Sequence, residues 1–205
     1  MNPTIPMTER FRHYLPVVID IETGGFDDKR DALLEIAAFT VNVDAQGNLT
    51  PLALFHEHII PFEGANLNPS ALAFNKIDPY HPFRHAITET TALNQLFRLI
   101  RQQLKTHHCS RAIMVAHNAA FDQRFLHQAI LRTHTKRSPF HPFSTIDTVG
   151  LAAVMLGHTV LAEACKRAGI EFDETQAHGA YYDAERTTML FCHLANSYPW
   201  PHLNT

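Results

Sequence analysis

Two carboxylic acids interrupt a run that is otherwise apolar, and nothing inside the run neutralises them. Val17 to Glu22 carries Asp20 and Glu22 two residues apart, with no Lys or Arg between its ends. Residues two apart in a strand share a face, and so apolar a run is typical of a strand within a sheet. Buried like charges either raise a pKa or recruit a cation, because leaving both bare is costly. A hard divalent ion with oxygen ligands meets that cost. Taken alone, the pair favours the plainer reading of two strand-end acids reaching water.

Three more residues have the types to join such a site. Asp122, in AHNAAFDQRFL, opens a helix whose inward face also carries Leu126, with Phe125 beside it. Its plain reading is an acid favoured by the helix dipole. His178 and Asp183, in QAHGAYYDAERT, are five apart. On a continuous helix that separates them by about 140°. Gly179 predicts instead that His178 lies in the lead-in loop and Asp183 on the helix. An imidazole with an unperturbed pKa near ~6.5 suits a proton acceptor at neutral pH. Alone, the pair reads as a solvated loop histidine and an exposed acid near Arg186.

The elements that must bring these residues together can be outlined. Residues 15–22, 33–41 and 52–60 read as strands, the second and third separated by the turn cluster 44–48. They suggest an antiparallel meander. Leu93, Leu96, Phe97, Ile100 and Leu104 follow helical spacing. Residues 112–116 form a short buried strand, and Phe121 to Ile130 restart a helical period. One further helix runs up to Gly169, which resembles a C-terminal cap, and another spans about 180–192. The order predicts an α/β fold, a mixed sheet flanked by helices.

The motifs together resemble the DEDD exonuclease superfamily: D-x-E in the first strand, an Asp after H-N-A-x-F, and H-x-x-x-x-D near the end. The histidine five before the last aspartate marks the h-type subclass. Gly179 stands where the y-type has a tyrosine. PVVIDIETGGF, DALLEIAAFT, PFEGANLNPSALAFNKIDP, RAIMVAHNAAFD, PFHPFSTIDT, TQAHGAYYD and ERTTMLFC are similar to the ribonuclease T family over roughly residues 9 to 195.

That resemblance implies a ribonuclease H-like fold, in which the meander is extended by parallel strands. It also implies two Mg²⁺ per site, with Mn²⁺ as a substitute, and 3′-to-5′ trimming of tRNA and other stable RNA ends. Single-stranded DNA would be a further substrate. Asp20 would bridge the ions, Glu22 and Asp183 would hold the first, Asp122 would support the second, and His178 would act as general base. Thr23, Phe26, Phe74, Phe121 and Phe143 match positions that contact the 3′-terminal bases. Base stacking on such rings contributes ~1–3 kcal/mol and tolerates many sequences. By composition Phe121 and Phe143 read as core, and Phe74 lies in a polar, Pro-flanked loop. Ser70 stands where the family commonly has glutamate, so a terminal-base preference does not carry over. Arg10, Arg12, Lys105, Arg111 and Lys136 resemble a basic patch serving the partner subunit's active site, which implies a homodimer.

Composition sets the outer limits. The 205 residues are 45% apolar, enough for one domain over 9–196 with tails at 1–8 and 197–205. No apolar run nears the ~20 residues that span a bilayer, and the N-terminus lacks a signal-peptide stretch. A cytoplasmic protein without a membrane partner is expected. Cys109, Cys165 and Cys192 are odd in number and lack a CxxC pair, which suggests reduced thiols. Net charge is −3, against gripping nucleic acid by overall charge. Most of the 15 histidines, including His81, His85, His107, His108 and His134, read as surface residues. Competing readings are a proofreading exonuclease subunit, an oligoribonuclease, a non-catalytic binding domain on the same fold, and a small-molecule phosphatase.

Overall fold

A computed structural model of the chain describes residues 5–198. Val17, Val18, Ile19 and Ile21 give the first long strand its β-branched character, and all four are buried, on both faces of the strand. This strand, β1 (Tyr14–Thr23), lies at the centre of a five-stranded sheet. Its companions are β2 (Leu33–Val43), β3 (Leu49–His58), β4 (Arg111–Ala116) and β5 (Phe140–Asp147). The order is β3-β2-β1-β4-β5. β1, β2 and β3 form the antiparallel meander, and β4 and β5 add in parallel.

Among the described residues, six α-helices accompany the sheet. They are α1 (Pro69–Asn75), α2 (Glu89–Thr106), α3 (Ala119–Arg132), α4 (Thr148–Leu156), α5 (Leu161–Arg167) and α6 (Ala180–Ser197). α2 starts at a Thr88 cap whose hydroxyl accepts from the Thr91 amide, and its apolar stripe Leu93, Leu96, Phe97 and Ile100 is buried. α6 lies across β1, β2 and β3, while α2 and α3 pack on β1 and β4. One core joins Leu15, Val17, Phe97, Phe125 and Phe191. A smaller cluster under α4, α5 and α6 is centred on Ala164, Cys165 and Leu190.

Several expectations need correction. β3 covers 49–58, three residues earlier than its apolar stretch begins, because Leu49 pairs with Val43 directly across the turn. β5 was not anticipated: Pro142 and the polar Ser144 and Thr145 hide its pattern, and its register is broken between Ala112 and Met114. The helix expected up to Gly169 is two, because Gly157, in the left-handed region at φ 70°, ends α4. Gly169 does follow α5, at φ 72°. Phe74 lies on α1, where Asn68 caps the helix and Pro69 opens it.

Met7, assigned to an N-terminal tail, is 4% exposed and packs into the core from a short 3-10 turn. Ser197, assigned to the C-terminal tail, is instead the last residue of α6, and residues 1–4 and 199–205 of the two expected tails lie outside the described residues. His107 is half-buried rather than superficial. The three cysteines are free thiols, two of them buried. Among the described residues, no single helix is long and apolar enough to cross a membrane.

Candidate active site

Strand alternation puts Asp20 and Glu22 on one face of β1, and α6 brings Asp183 down onto them. One carboxylate oxygen from each of the three lies within 4.8 Å of the others. Asp183 is fixed from two sides. Its Oδ2 accepts the backbone amide of His178 at 3.0 Å, and its own amide bonds to Gly179 O as α6 begins. Asp183 Oδ1 is buried without a hydrogen-bond partner among the described residues, an arrangement that is costly unless something cationic meets it.

Asp122 approaches differently. It is 4% exposed in the first turn of α3, and the backbone of Ile21 on β1 acts on its carboxyl group. It therefore borders the three-carboxylate cluster through the strand backbone and is not one of its three members.

All four acids are held protonated more tightly than usual. Burial, then the charges of Asp122, Asp183, Glu22 and Glu35, keep Asp20 well above the ordinary carboxylate range. Burial and Glu35 push Glu22 to about 9. Burial also raises Asp183 and lifts Asp122 well above the usual value. Among the described residues, the leading influences on the four are burial and neighbouring carboxylates, with the His178 imidazole acting on Asp183. Clustered oxygens, an orphaned Oδ1 and uncompensated like charge together suit a hard divalent cation.

His178 sits in the loop before α6 in a left-handed conformation, φ 67°. The side chain is exposed, and its ring lies 4.1 Å, centroid to centroid, from Phe74. Phe74 in turn belongs to a cavity of about 320 Å³ lined by Glu22, Thr23, Phe26, Ser70, Phe74 and Phe121, among others. Phe26 and Phe74 are 82% and 61% exposed, which removes them from the core. Phe26 meets Phe121 edge-on at 6.2 Å, and Phe121 is half-buried against Phe125. The Thr23 hydroxyl donates to Gly25 O. An added Cβ at Gly25 would stand 2.1 Å from the Asp31 carboxylate, so this corner of the cavity requires glycine.

Phe143 does not line this cavity. Contrary to the core reading it is 78% exposed, on the irregular part of edge strand β5 against His141. The basic residues separate as well. Arg12, Lys105, Arg111 and Lys136 are exposed; Arg12 lies over the Tyr14 ring, and Arg111 pairs with Tyr14 in the sheet. Arg12 and Arg111 are at the start of β1 and β4, Lys105 is in the last turn of α2 and Lys136 precedes β5, whereas the carboxylates are at the end of β1. Arg10 departs from the expected patch. It is 3% exposed, and its guanidinium donates to Ile5 O and Gly47 O, so it clamps the 44–48 turn and presents no free charge to a phosphate.

Three residues around the site had been assigned no role. Buried Asn75 donates to Thr23 O and bonds the Glu22 carboxylate, tying α1 to the end of β1. Asp147 accepts the amides of Asn118 and Ala119 and also caps α4 through Val149 N. Glu35 lies opposite Glu22 in the sheet register. Asn75 and Asp147 fall inside quoted stretches, but only their contacts distinguish them from ordinary turn residues.

The exonuclease family model RNase_T matches residues 17–191. Ribonuclease T of Photorhabdus laumondii subsp. laumondii is 54% identical over 203 residues, 97% of this chain and 94% of that protein. Ribonuclease T of Escherichia coli (strain K12) is 54% identical over 199 residues, 95% and 93% of the two. Among solved structures, E. coli exonuclease I in complex with a dT13 oligonucleotide aligns with a TM-score of 0.65 at 18% identity, over 90% of this chain. The zinc-ion-bound form of an E. coli exonuclease I–single-stranded DNA complex aligns at 0.67 and 17%, over 91%. Each likeness covers 41% of the exonuclease I chain, and at such identity it bears on the fold, which is ribonuclease H-like.

Proposed function

The chain belongs to the ribonuclease T family of exonucleases and is a 3′-to-5′ exoribonuclease, and on that premise we propose that it trims the 3′ ends of tRNA and other stable RNAs in the cytoplasm, and degrades single-stranded DNA, as a magnesium-dependent homodimer. The observation that carries this reading is the three-carboxylate cluster sharing Glu22 with a Phe-lined cavity.

Asp20, Glu22 and Asp183 would hold the metal, with Asp122 supporting from α3. Two Mg²⁺, or Mn²⁺ in their place, would supply charge stabilisation to the attacking and leaving oxygens of a phosphoryl displacement. His178 takes the proton from the attacking water on its imidazole. Its exposed loop position leaves it free to swing, while Asp183 anchors the loop through the His178 amide. Phe26, Phe74 and Phe121 receive the terminal bases, with Thr23 at the wall beside Glu22.

Separation along the sheet supports the dimer. Tyr14, beside Arg12 and Arg111, is six residues from Asp20, roughly 20 Å at ~3.3 Å per residue. A patch so far from its own carboxylates is better placed to guide RNA into a neighbour's site, with Phe143 exposed on the same edge strand side. The proposed patch is Arg12, Lys105, Arg111 and Lys136, without Arg10.

The test is a time course on a 3′-labelled tRNA and a matched single-stranded DNA, with and without magnesium. Immediate release of labelled mononucleotide, dependent on magnesium, is expected on both. Retention of the 3′ label, or turnover indifferent to magnesium, would overturn the reading.

A further inference from the structure

We infer that Glu35, His56 and His58 form a second metal site, for a transition ion of the zinc class, beside the carboxylate centre and chemically distinct from it. The inference does not depend on the substrate proposed above. Glu35 pairs with His58 across β2 and β3, and Ala37 pairs with His56. Cross-strand partners share a face, so both imidazoles project from the same side of the sheet as Glu35. Because Glu35 also lies opposite Glu22, this is the face that carries Asp20 and Glu22.

One donor atom from each of the three residues lies within 4.8 Å of the others. His56 Nε2 and Glu35 Oε1 are 2.6 Å apart, a short charge-assisted hydrogen bond. His58 Nδ1 is 4.0 Å from Glu35 Oε2, too far for a hydrogen bond, and is buried with no hydrogen-bond partner among the described residues. Two ligands of one tetrahedral zinc, each ~2.0–2.2 Å from it, stand roughly 3.4 Å apart. To share an ion, the orphaned nitrogen must move slightly inward and the His56–Glu35 hydrogen bond, at 2.6 Å, must open towards the same spacing.

Donor chemistry separates the two centres. Asp20, Glu22 and Asp183 offer oxygen alone, which suits magnesium. Two imidazoles and a carboxylate suit zinc and its neighbours instead. His56 is exposed, so water can complete the coordination. Among the described residues, the Arg84 guanidinium opposes a cation here, acting on His58 and Glu35. Its guanidinium is already directed to Leu34 O and Pro79 O, and the Glu35 carboxylate, which acts on both Arg84 and His58, offsets it.

Zinc chloride titrated calorimetrically into the full-length chain, with magnesium in excess, should show one zinc per chain. His58→Ala and His56→Ala should each weaken that event by more than the ~10–100-fold that loss of an outer partner costs. Asp183→Asn should leave it unchanged. Cobalt(II) in place of zinc should give a visible absorption band that His58→Ala abolishes. Should His58→Ala fail to fold, His58→Gln, checked by circular dichroism and melting, takes its place. Zinc binding that survives both histidine substitutions, or disappears in Asp183→Asn, would overturn the inference, as would no binding at all. None of these outcomes depends on RNA cleavage, so failure here is distinguishable from failure of the proposed activity.

Discussion

His178 pays for its position with backbone strain. A non-glycine residue at φ 67° lies in a region ordinary side chains seldom occupy. In this conformation the imidazole rests on Phe74, a residue of the cavity wall, at 4.1 Å. On the proposed reading, a base stacking on Phe74 would have to share or displace that ring, so substrate entry and the placement of the proposed general base would meet at one phenylalanine. His178→Ala should keep the melting temperature and magnesium binding while lowering turnover by ~10²–10⁴-fold, the usual contribution of a positioned general base. Near-normal cleavage by that variant would remove the imidazole from the chemistry. Phe74→Ala should instead raise KM, by the ~1–3 kcal/mol that stacking contributes per base. Because Phe74 is 61% exposed, its melting temperature should barely move. A large drop in melting temperature would mean that the ring is packing, not receiving substrate.

At the level of elements, the site depends on how α3 and α6 are started. Asn118 before α3 is left-handed, φ 76°, and makes no side-chain cap bond. Asp147, from the end of β5, supplies the missing acceptor to the Asn118 and Ala119 amides while capping α4. Caps are worth ~0.5–2 kcal/mol each, so Asp147→Ala should destabilise the fold by about 1–3 kcal/mol in urea unfolding. It should also cut kcat, because the first turn of α3 carries Asp122. Full activity with unchanged stability would deny Asp147 this positioning role. The same junction shows what the sequence made legible. The D-x-E strand, the loop position of His178 and the helix under Asp122 could all be read from local periodicity and a single glycine. β5 could not, because Pro142, Ser144 and Thr145 break its alternation and its register is irregular. Phe74 and Arg10 were misread for another reason. An Asn-Pro cap creates α1 from a stretch that looks like loop, and only the tertiary approach of the 44–48 turn buries Arg10. Glu35, His56 and His58 come together only through strand register, which composition does not encode.

Taken as a whole, the molecule concentrates negative charge at one end of β1 and presents exposed basic residues at the other, within a net charge of −3. The acidic end has a cost that pH reveals. Asp20, Glu22, Asp122 and Asp183 all hold protons more tightly folded than unfolded, Glu22 up to about 9. The unfolded chain therefore binds fewer protons than the native one above the ordinary carboxylate range, and stability falls as pH rises. In EDTA, the melting temperature should decline from about pH 5 towards pH 9 more steeply than that of Asp20→Asn/Glu22→Gln. Magnesium should restore it at the alkaline end. Equal slopes for the two proteins would show that the cluster carries no such penalty. The basic end makes a different demand, since it lies roughly 20 Å along β1 from its own carboxylates. If it serves a second subunit, Lys136→Ala should weaken RNA binding and flatten the salt dependence by about 0.7 of a log–log slope unit, the share of one phosphate contact. Mixing an Arg111→Ala/Lys136→Ala protein with His178→Ala then separates the two geometries. When the patch acts across the dimer, each mixed pair holds one intact combination of patch and imidazole. Random pairing of two weakly active proteins should then recover about a quarter of wild-type turnover. When the patch serves its own subunit, no pairing assembles an intact site, and the mixture stays as slow as its components.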